Sequence, residues 1–244
     1  MTIVLVTGAT DGLGRALAKA LVVRGDDVIV HGRDRRRLEE AAREIGAAGA
    51  HLADFAALED VRALAAEAGE VDVLVNNAGV IAPDRRLSRD GHELTFQVNY
   101  LAGFLLTLLM LPPRTVNVAS AGQRRLDFDD LMLDRGYEGY SAYAQSKLAQ
   151  ILFTFELAQR RPDLQVNALH PATLMDTKMV RAWFGRTGST VAEGVEATLR
   201  AVDLDGVSGR YYDGTHESRA HAQAYDPASR ARLWTISEQL AGLA

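Results

Sequence analysis

The feature that most limits what this chain can fold into is an alternation running from one end to the other. Short, β-branched apolar runs occur at Thr2 to Thr7, Asp27 to His31, Val71 to Val75, Thr115 to Ala119, Gln165 to Leu169 and Gly209 to Tyr212, with a weaker one at His51 to Ala53. Between them lie helical patterns over Arg15 to about Arg24, Arg35 to about Ile45, Leu58 to Ala68, Gly91 to about Leu111, the stretch from Tyr143 through Phe155, and Val191 to Ala201. Asp226-Pro227 caps and starts a closing helix through Leu233, Ile236 and Leu240. Strands this apolar are buried on both faces, and strand–helix alternation implies a parallel sheet with helices on both sides. The expectation is one α/β domain over residues 1–244, built on a doubly wound parallel sheet of about seven strands.

Composition narrows the function classes. A content of 48% hydrophobic and 24% charged residues is that of an ordinary soluble globular protein. A net charge of -5 leaves no footprint for nucleic acid or anionic lipid. The one basic run, Arg33 and Arg35 to Arg37, reads equally as a solvated helix start. With no cysteine there is no disulfide, no thiolate metal site and no cysteine nucleophile, and no metal is expected. The apolar run Ile3 to Val6 stops at Thr7-Gly8, too short for a signal peptide or a membrane span. A cytoplasmic enzyme or binding protein is expected, with no membrane partner.

The first strand leads into Thr7-Gly8-Ala9-Thr10-Asp11-Gly12-Leu13-Gly14 and then a helix, the order a dinucleotide-binding loop requires. Glycines let the backbone approach a pyrophosphate, and the helix N-terminus offers it free N–H groups. The fold class is therefore Rossmann-type. The second strand ends in Gly32-Arg33-Asp34, where the adenosine ribose of such a ligand lies. An acid at the tip would suit a 2′-hydroxyl and NAD(H), whereas Arg33 suits a 2′-phosphate, so NADP(H) is preferred over NAD(H). Asp34 stands 20 residues after Gly14, the spacing at which an acid favouring NAD(H) is expected, and can otherwise simply cap the following helix. Asp54, after the third strand, can touch an adenine amine or cap the helix from Leu58.

Several polar residues stand where the apolar pattern does not call for them. Asn76-Asn77-Ala78-Gly79 closes the fourth strand, Ser120 closes the fifth, and Asn99 sits inside a strongly apolar helix. By the crevice rule for open sheets, the ends of strands one, four and five face one site. Tyr143 and Lys147 are four residues apart, on one helix face, in a chain whose other lysines are only Lys19 and Lys178. The polar connection from Gln123 to Gly139 is long enough to be functional or mobile. His170-Pro171-Ala172-Thr173 ends the sixth strand, and the segment 173–189 mixes Met175, Met179, Trp183 and Phe184 with small polar residues, which reads as a lid over a substrate. The alternative there is a short amphipathic surface helix.

The loop from Thr7 to Gly14, Asn76-Asn77-Ala78-Gly79, Asn99, Ser120 and Tyr143-x-x-x-Lys147, in this order, resemble the short-chain dehydrogenase/reductase family over essentially the whole chain. Val116 to Gly122, Phe128-Asp129-Asp130-Leu131 and Ala142 to Leu148 are similar to the branch holding retinol dehydrogenases and their bacterial relatives. Two departures stand out. Pro171-Ala172 replaces the family's Pro-Gly, and Asp11 is an acid within a phosphate loop, so its side chain is expected to point away.

The resemblance implies roles. Tyr143 is the acid/base toward a carbonyl or alcohol, Lys147 its pKa tuner and a ribose ligand, Ser120 a donor to the oxyanion, and Asn99 the holder of a relay water. The loop residues Gly8, Thr10, Asp11, Gly12, Leu13 and Gly14, with Arg33, Asp54, Asn77, Ala78, Gly79, Tyr143, Lys147, Pro171 and Thr173, are implied as the cofactor site. Met175, Met179, Trp183 and Phe184 are the expected substrate contacts. The expected activity is NADP(H)-dependent carbonyl reduction or alcohol oxidation on an apolar small molecule. Tyr140, seven residues before Lys147, keeps open an enoyl-type C=C reductase, and a non-catalytic NADP(H)-sensing protein is a further alternative. The family's helix-mediated homodimer or homotetramer is possible, while the long connection could shield that face and leave a monomer.

Overall fold

The computed structural model describes residues 1–243. The strands are β1 (Ile3–Val6), β2 (Asp27–Gly32), β3 (Gly49–Leu52), β4 (Val73–Asn76), β5 (Arg114–Val118), β6 (Gln165–His170), β7 (Tyr211–Asp213) and β8 (His216–Glu217). They form one sheet in the order β3-β2-β1-β4-β5-β6-β7-β8. β1 to β7 run parallel, with the order reversing between β1 and β4. The expected doubly wound sheet is thus present. An eighth strand, antiparallel and two residues long, pairs with β7 through a turn at Gly214, whose φ is +58°. So short a strand leaves no periodicity in the sequence to find.

Local capping explains where the helices begin and end. Asp11 caps α1 (Gly12–Arg24), which ends at Gly25 with φ 100°. Asp34 caps α2 (Arg35–Ile45) through Arg37 N–H, and Gly46 ends it in the left-handed region. α3 (Leu58–Ala68) is held differently from the expectation. Asp54 turns back on Ala56 N–H at 3.1 Å, and Asp90 accepts from Leu58 N–H at 2.9 Å. The helix expected over Gly91 to Leu111 starts at Leu94: α4 (Leu94–Phe96), a π turn (Gln97–Leu101) and α5 (Ala102–Met110) follow one another directly. Asn99 is at the middle of the π turn, a one-residue register change that often marks a functional position. α6 (Gly139–Arg160), α7 (Lys178–Phe184), α8 (Val191–Asp203) and α9 (Pro227–Leu240) complete the chain.

Two apolar layers sandwich the sheet. Leu13, Leu17, Leu21, Leu38 and Ala197 bring α1, α2 and α8 onto one face. On the other, Leu64, Phe104, Leu152 and Phe153 bring α3, α5 and α6 together. α9 adds to this layer from its outer side through buried Leu233 and Trp234. Its Trp234 ring meets Phe104 and Phe153 at centroid distances of 5.3 and 6.1 Å, and Ser237 hydrogen-bonds the Tyr100 hydroxyl at 2.7 Å. The connection expected over Gln123 to Gly139 has no regular element before α6 starts at Gly139, but it is tied down by non-local bonds, Leu126 N–H to Gln223 Oε1 at 2.8 Å and Gln145 Nε2 to the Leu131 carbonyl at 2.8 Å. No helix among the described residues is long and apolar enough to cross a membrane.

Candidate active site

The crevice lies at the C-terminal ends of β1, β4 and β5, where the strand order reverses. At its floor the glycines are required by close approach. A Cβ on Gly14 would stand 2.4 Å from the Gly8 carbonyl oxygen and 2.4 Å from Asn77 Nδ2, and one on Gly8, whose φ is +66°, would meet Ala78 Cα at 2.8 Å. Thr7 is the hub joining the two turns. Its Oγ1 accepts from the N–H groups of Asn77 and Ala78 at 2.9 and 3.0 Å, while Asn77 Nδ2 donates to the Thr7 carbonyl at 2.8 Å. The N–H groups of Leu13 and Gly14 at the head of α1 find no acceptor among the described residues. That backbone cradle fits the phosphates of a dinucleotide.

Asp11 does not simply point away. Its Oδ1 accepts from Gly12 N–H at 2.9 Å, and its Oδ2 pairs with Arg37 on α2 and Lys178 on α7, each at 2.9 Å. Burial alone would raise its pKa, but the bonds from Lys178 and Gly12 N–H, together with both cations, hold the carboxyl below the usual range. Neither Thr177 nor Lys178 is marked out by sequence pattern, yet both reach the loop, Thr177 lying against Gly12. Arg33 stands exposed at the end of β2 with no carboxylate partner among the described residues, and Thr10 packs on Gly32.

His31 is a second feature that pattern reading passes over. It is 3% exposed, its Nδ1 accepts from Gly8 N–H at 3.2 Å, and its Nε2 bonds the Ala53 carbonyl at 3.0 Å, so the ring is the neutral Nε2–H tautomer. Phe55 stacks on it at a centroid distance of 4.3 Å. Burial pushes the imidazole down to about 4. The available signal was a histidine closing an otherwise apolar strand.

On the other side of the crevice, Ser120 follows β5, and Tyr143 and Lys147 project from α6. Ser120 Oγ accepts from Gly122 N–H at 3.0 Å. Tyr143 is half-buried, and its removal from water pushes the phenol above its ordinary value, with the Ser120 hydroxyl opposing. Lys147 is 4% exposed; Nζ donates to the Val118 carbonyl at 2.7 Å and to Gln150 Oε1 at 3.0 Å, and lies 5.5 Å from the centroid of the Tyr143 ring. Burial pushes its ammonium down to about 7. Asn99 braces the floor. Its Oδ1 accepts from Val80 N–H at 2.7 Å, and Nδ2 donates to the Val80 carbonyl at 3.0 Å and to Ser146 Oγ at 2.9 Å, so both amide donors are spent within the protein. His170 Nε2 is 3.0 Å from Thr173 Oγ1 beside buried Pro171. Burial lowers the His170 pKa, Asp213 opposing and Lys147 adding to the effect.

The segment 173–189 leaves and rejoins the body at nearly one point, since Gly188 N–H donates to the Leu174 carbonyl and Asp176 N–H to the Ser189 carbonyl, both at 2.9 Å. Within it α7 has no buried residue. Its Trp183 packs over Gly139, and Phe184 meets Tyr140 edge-on at 5.9 Å. Met179 is half-buried, while Met175 turns into the core against Gly194 and Leu13. Tyr140, 39% exposed, has its ring 6.3 Å from that of Tyr143 and its hydroxyl beside Gly122.

A doubly wound sheet whose switch point gathers a glycine cradle, a serine and a tyrosine–lysine pair defines a nucleotide-dependent oxidoreductase of the Rossmann class. The family model for short chain dehydrogenase matches residues 2–187, and the chain belongs to that family, whose members use a nicotinamide cofactor on small-molecule substrates. Mouse retinol dehydrogenase 13 is 36% identical over 280 residues, 99% of this chain and 84% of that protein. Mouse retinol dehydrogenase 14 is 36% identical, covering 98% of this chain and 86% of its own length. Among solved structures, an uncharacterized protein from Mycobacterium paratuberculosis is 34% identical and superposes with a TM-score of 0.87 over 99% of this chain and 94% of its own. A short chain dehydrogenase from Shigella flexneri complexed with NADP, 25% identical, has a TM-score of 0.71 over 87% of this chain and 96% of that one.

Proposed function

We propose that the protein is an NADP(H)-dependent carbonyl reductase or alcohol dehydrogenase acting on an apolar, fairly bulky small molecule, with Tyr143 as its acid/base. The observation that carries this reading is the convergence of Ser120, Tyr143 and Lys147 on the crevice opposite the glycine cradle, under the Trp183 and Phe184 side of the lid. Gly8, Thr10, Gly12, Leu13 and Gly14 with Asn77 to Gly79 would hold the phosphates, Arg33 the adenosine ribose, Asp54 the adenine, and Pro171 and Thr173 the nicotinamide end. Bound there, the cofactor supplies or accepts the hydride.

In reduction Tyr143 gives its phenolic proton to the carbonyl oxygen, and Ser120 Oγ–H donates to the same oxygen as charge builds on it. A phenol pushed up by burial is protonated at neutral pH, which is the form that reduction uses. Oxidation needs the phenolate; bringing even an ordinary phenol of pKa ~10 to near 7 or 8 takes roughly 3 to 4 kcal/mol, and the raised phenol here needs more. The Lys147 cation, whose Nζ lies 5.5 Å from the centroid of the Tyr143 ring, favours the phenolate while it is charged. Asn99 holds the Val80 peptide and Ser146, which supports a bracing role beside any relay water.

The NADP(H) preference is supported by the Gly32-Arg33 tip of β2, by the absence of an acid at that tip, and by the relative solved with NADP. The test is oxidation of NADPH and NADH by the purified protein over a panel of aldehydes, ketones, quinones and enones, and the reverse with alcohols. Faster turnover with NADPH on apolar carbonyls is expected. Binding of NADPH with no turnover over the whole panel would sink the enzymatic reading, and saturation of an enone's C=C bond in place of its carbonyl would move the proton role to Tyr140.

A further inference from the structure

The polar face of α6 extends beyond the tyrosine and lysine. Tyr143, Lys147, Gln150 and Thr154 follow one another at intervals of four, three and four residues and so share one helix face, while Leu148, Ile151 and Leu152 are buried apolar neighbours. That face lies on β5. Thr154 Oγ1 accepts from Asn117 Nδ2 at 2.9 Å and donates to the Gln150 carbonyl at 2.8 Å, and Asn117 Oδ1 accepts from Asn76 Nδ2 at 2.9 Å. Gln150 is 3% exposed, and its Oε1 is the side-chain acceptor on Lys147, at 3.0 Å.

We propose that Gln150 is a positioning residue for Lys147: its amide oxygen and the Val118 carbonyl take two of the three Nζ–H donors and hold the amine at the end of β5, one helical turn from Tyr143. The proposal rests on the reading of Lys147 as the partner of Tyr143. Its physical basis is what surrounds the amine. No carboxylate pairs with Lys147 among the described residues. The titratable groups facing it are Tyr143 on its own helix and His170 from β6, with Asp213 beyond the imidazole. Gly79 approaches from the β4 turn, with Asn99 of the π turn on its other side, and β5 offers only the Val118 carbonyl. Two neutral carbonyl dipoles therefore replace a counter-ion. An amide oxygen favours the ammonium without cancelling its field, whereas a carboxylate there would hold the proton more firmly and spend that field on itself.

The chain has three lysines, Lys19, Lys147 and Lys178, and the first and last are exposed. Lysine labelled with 13C at Cε therefore gives three signals, two of which serve as surface references. The labelled protein, without cofactor, is titrated by NMR as wild type, Gln150→Leu and Gln150→Glu. The Lys147 midpoint is expected to fall by about one pH unit in Gln150→Leu and to rise by about one in Gln150→Glu. Opposite shifts do not arise from general loosening, and the isosteric glutamate keeps the test open if the leucine variant folds poorly. A midpoint unchanged in Gln150→Glu, or moved the same way in both variants, overturns the proposal. In the active enzyme, the acid limb of alcohol oxidation should move up by about one pH unit in Gln150→Leu. Wild-type protein that turns over nothing would remove the functional reading, whereas the titration is made without turnover and decides Gln150 by itself.

Discussion

Lys178 on α7 pairs with Asp11 on the glycine loop at 2.9 Å, and the same carboxylate oxygen binds Arg37 at 2.9 Å. One acid thus ties α7 and the start of α2 to the loop that would carry cofactor phosphates. It sits beside the very N–H groups an anion needs. Asp11→Asn keeps a capping side chain but removes the negative charge. The dinucleotide Kd should fall about five-fold, equivalent to about 1 kcal/mol of relieved repulsion, with a smaller gain at high salt. Fluorescence titration at two ionic strengths measures it, and a weaker complex in Asp11→Asn would count against a repulsive role.

Arg33 should set the cofactor preference. Arg33→Ala removes a charge-assisted contact worth about 1.5 to 3 kcal/mol, so KM for NADPH should rise roughly 10- to 100-fold. KM for NADH should stay within about two-fold, since its ribose carries no 2′-phosphate. Steady-state kinetics with both cofactors decide the matter, and equal losses with each would remove Arg33 from the ribose site.

His31 gives the fold an acid sensitivity. Its pKa in the folded chain, about 4, lies below the unfolded value of ~6.5. The unfolded state therefore binds the extra proton first, and stability that is fully present above ~6.5 is lost as the pH falls through the folded value. The loss amounts to about 3 kcal/mol between those limits. Urea unfolding at pH 7 and pH 4.5 should show a smaller difference in His31→Gln than in the wild type. A difference of the same size in both would place the acid sensitivity elsewhere.

α9 is expected to be integral to the domain. Trp234 is buried between Phe104, Phe153 and the Arg160 guanidinium, which lies 4.4 Å over its ring. Trp234→Ala should cost about 3 to 5 kcal/mol in urea unfolding. A cost below about 1 kcal/mol would mean that the helix docks only loosely.

The elements most legible in the sequence were those with local punctuation. α2 and α3 run over the expected residues, α2 because Asp34 and Gly46 mark its ends. The polar face of α6 that carries Tyr143 and Lys147 was legible for a related reason, since a polar pair on an apolar helix breaks the pattern visibly. What was not legible depends on partners far along the chain. The direction of Asp11 is set by Arg37 and Lys178, the position of Lys147 by Val118, and the ordering of the Gln123 to Gly139 connection by Gln223 and Gln145. Met175 fits a lid by type, yet it completes the core between α1 and α8. The π turn at Asn99 shifts the helix by one residue, too little to disturb an apolar run that is buried on all sides from Thr95 to Thr107.

The central claim is that Tyr143 carries the proton, and the most direct measurement pairs binding with turnover in Tyr143→Phe. The substitution removes one oxygen from a half-buried ring, so the fold and the glycine cradle should be untouched. The account predicts an NADPH Kd within about three-fold of wild type and a kcat reduced by at least about a thousand-fold on the best carbonyl substrate. Retention of more than a few per cent of wild-type turnover with binding intact would contradict it.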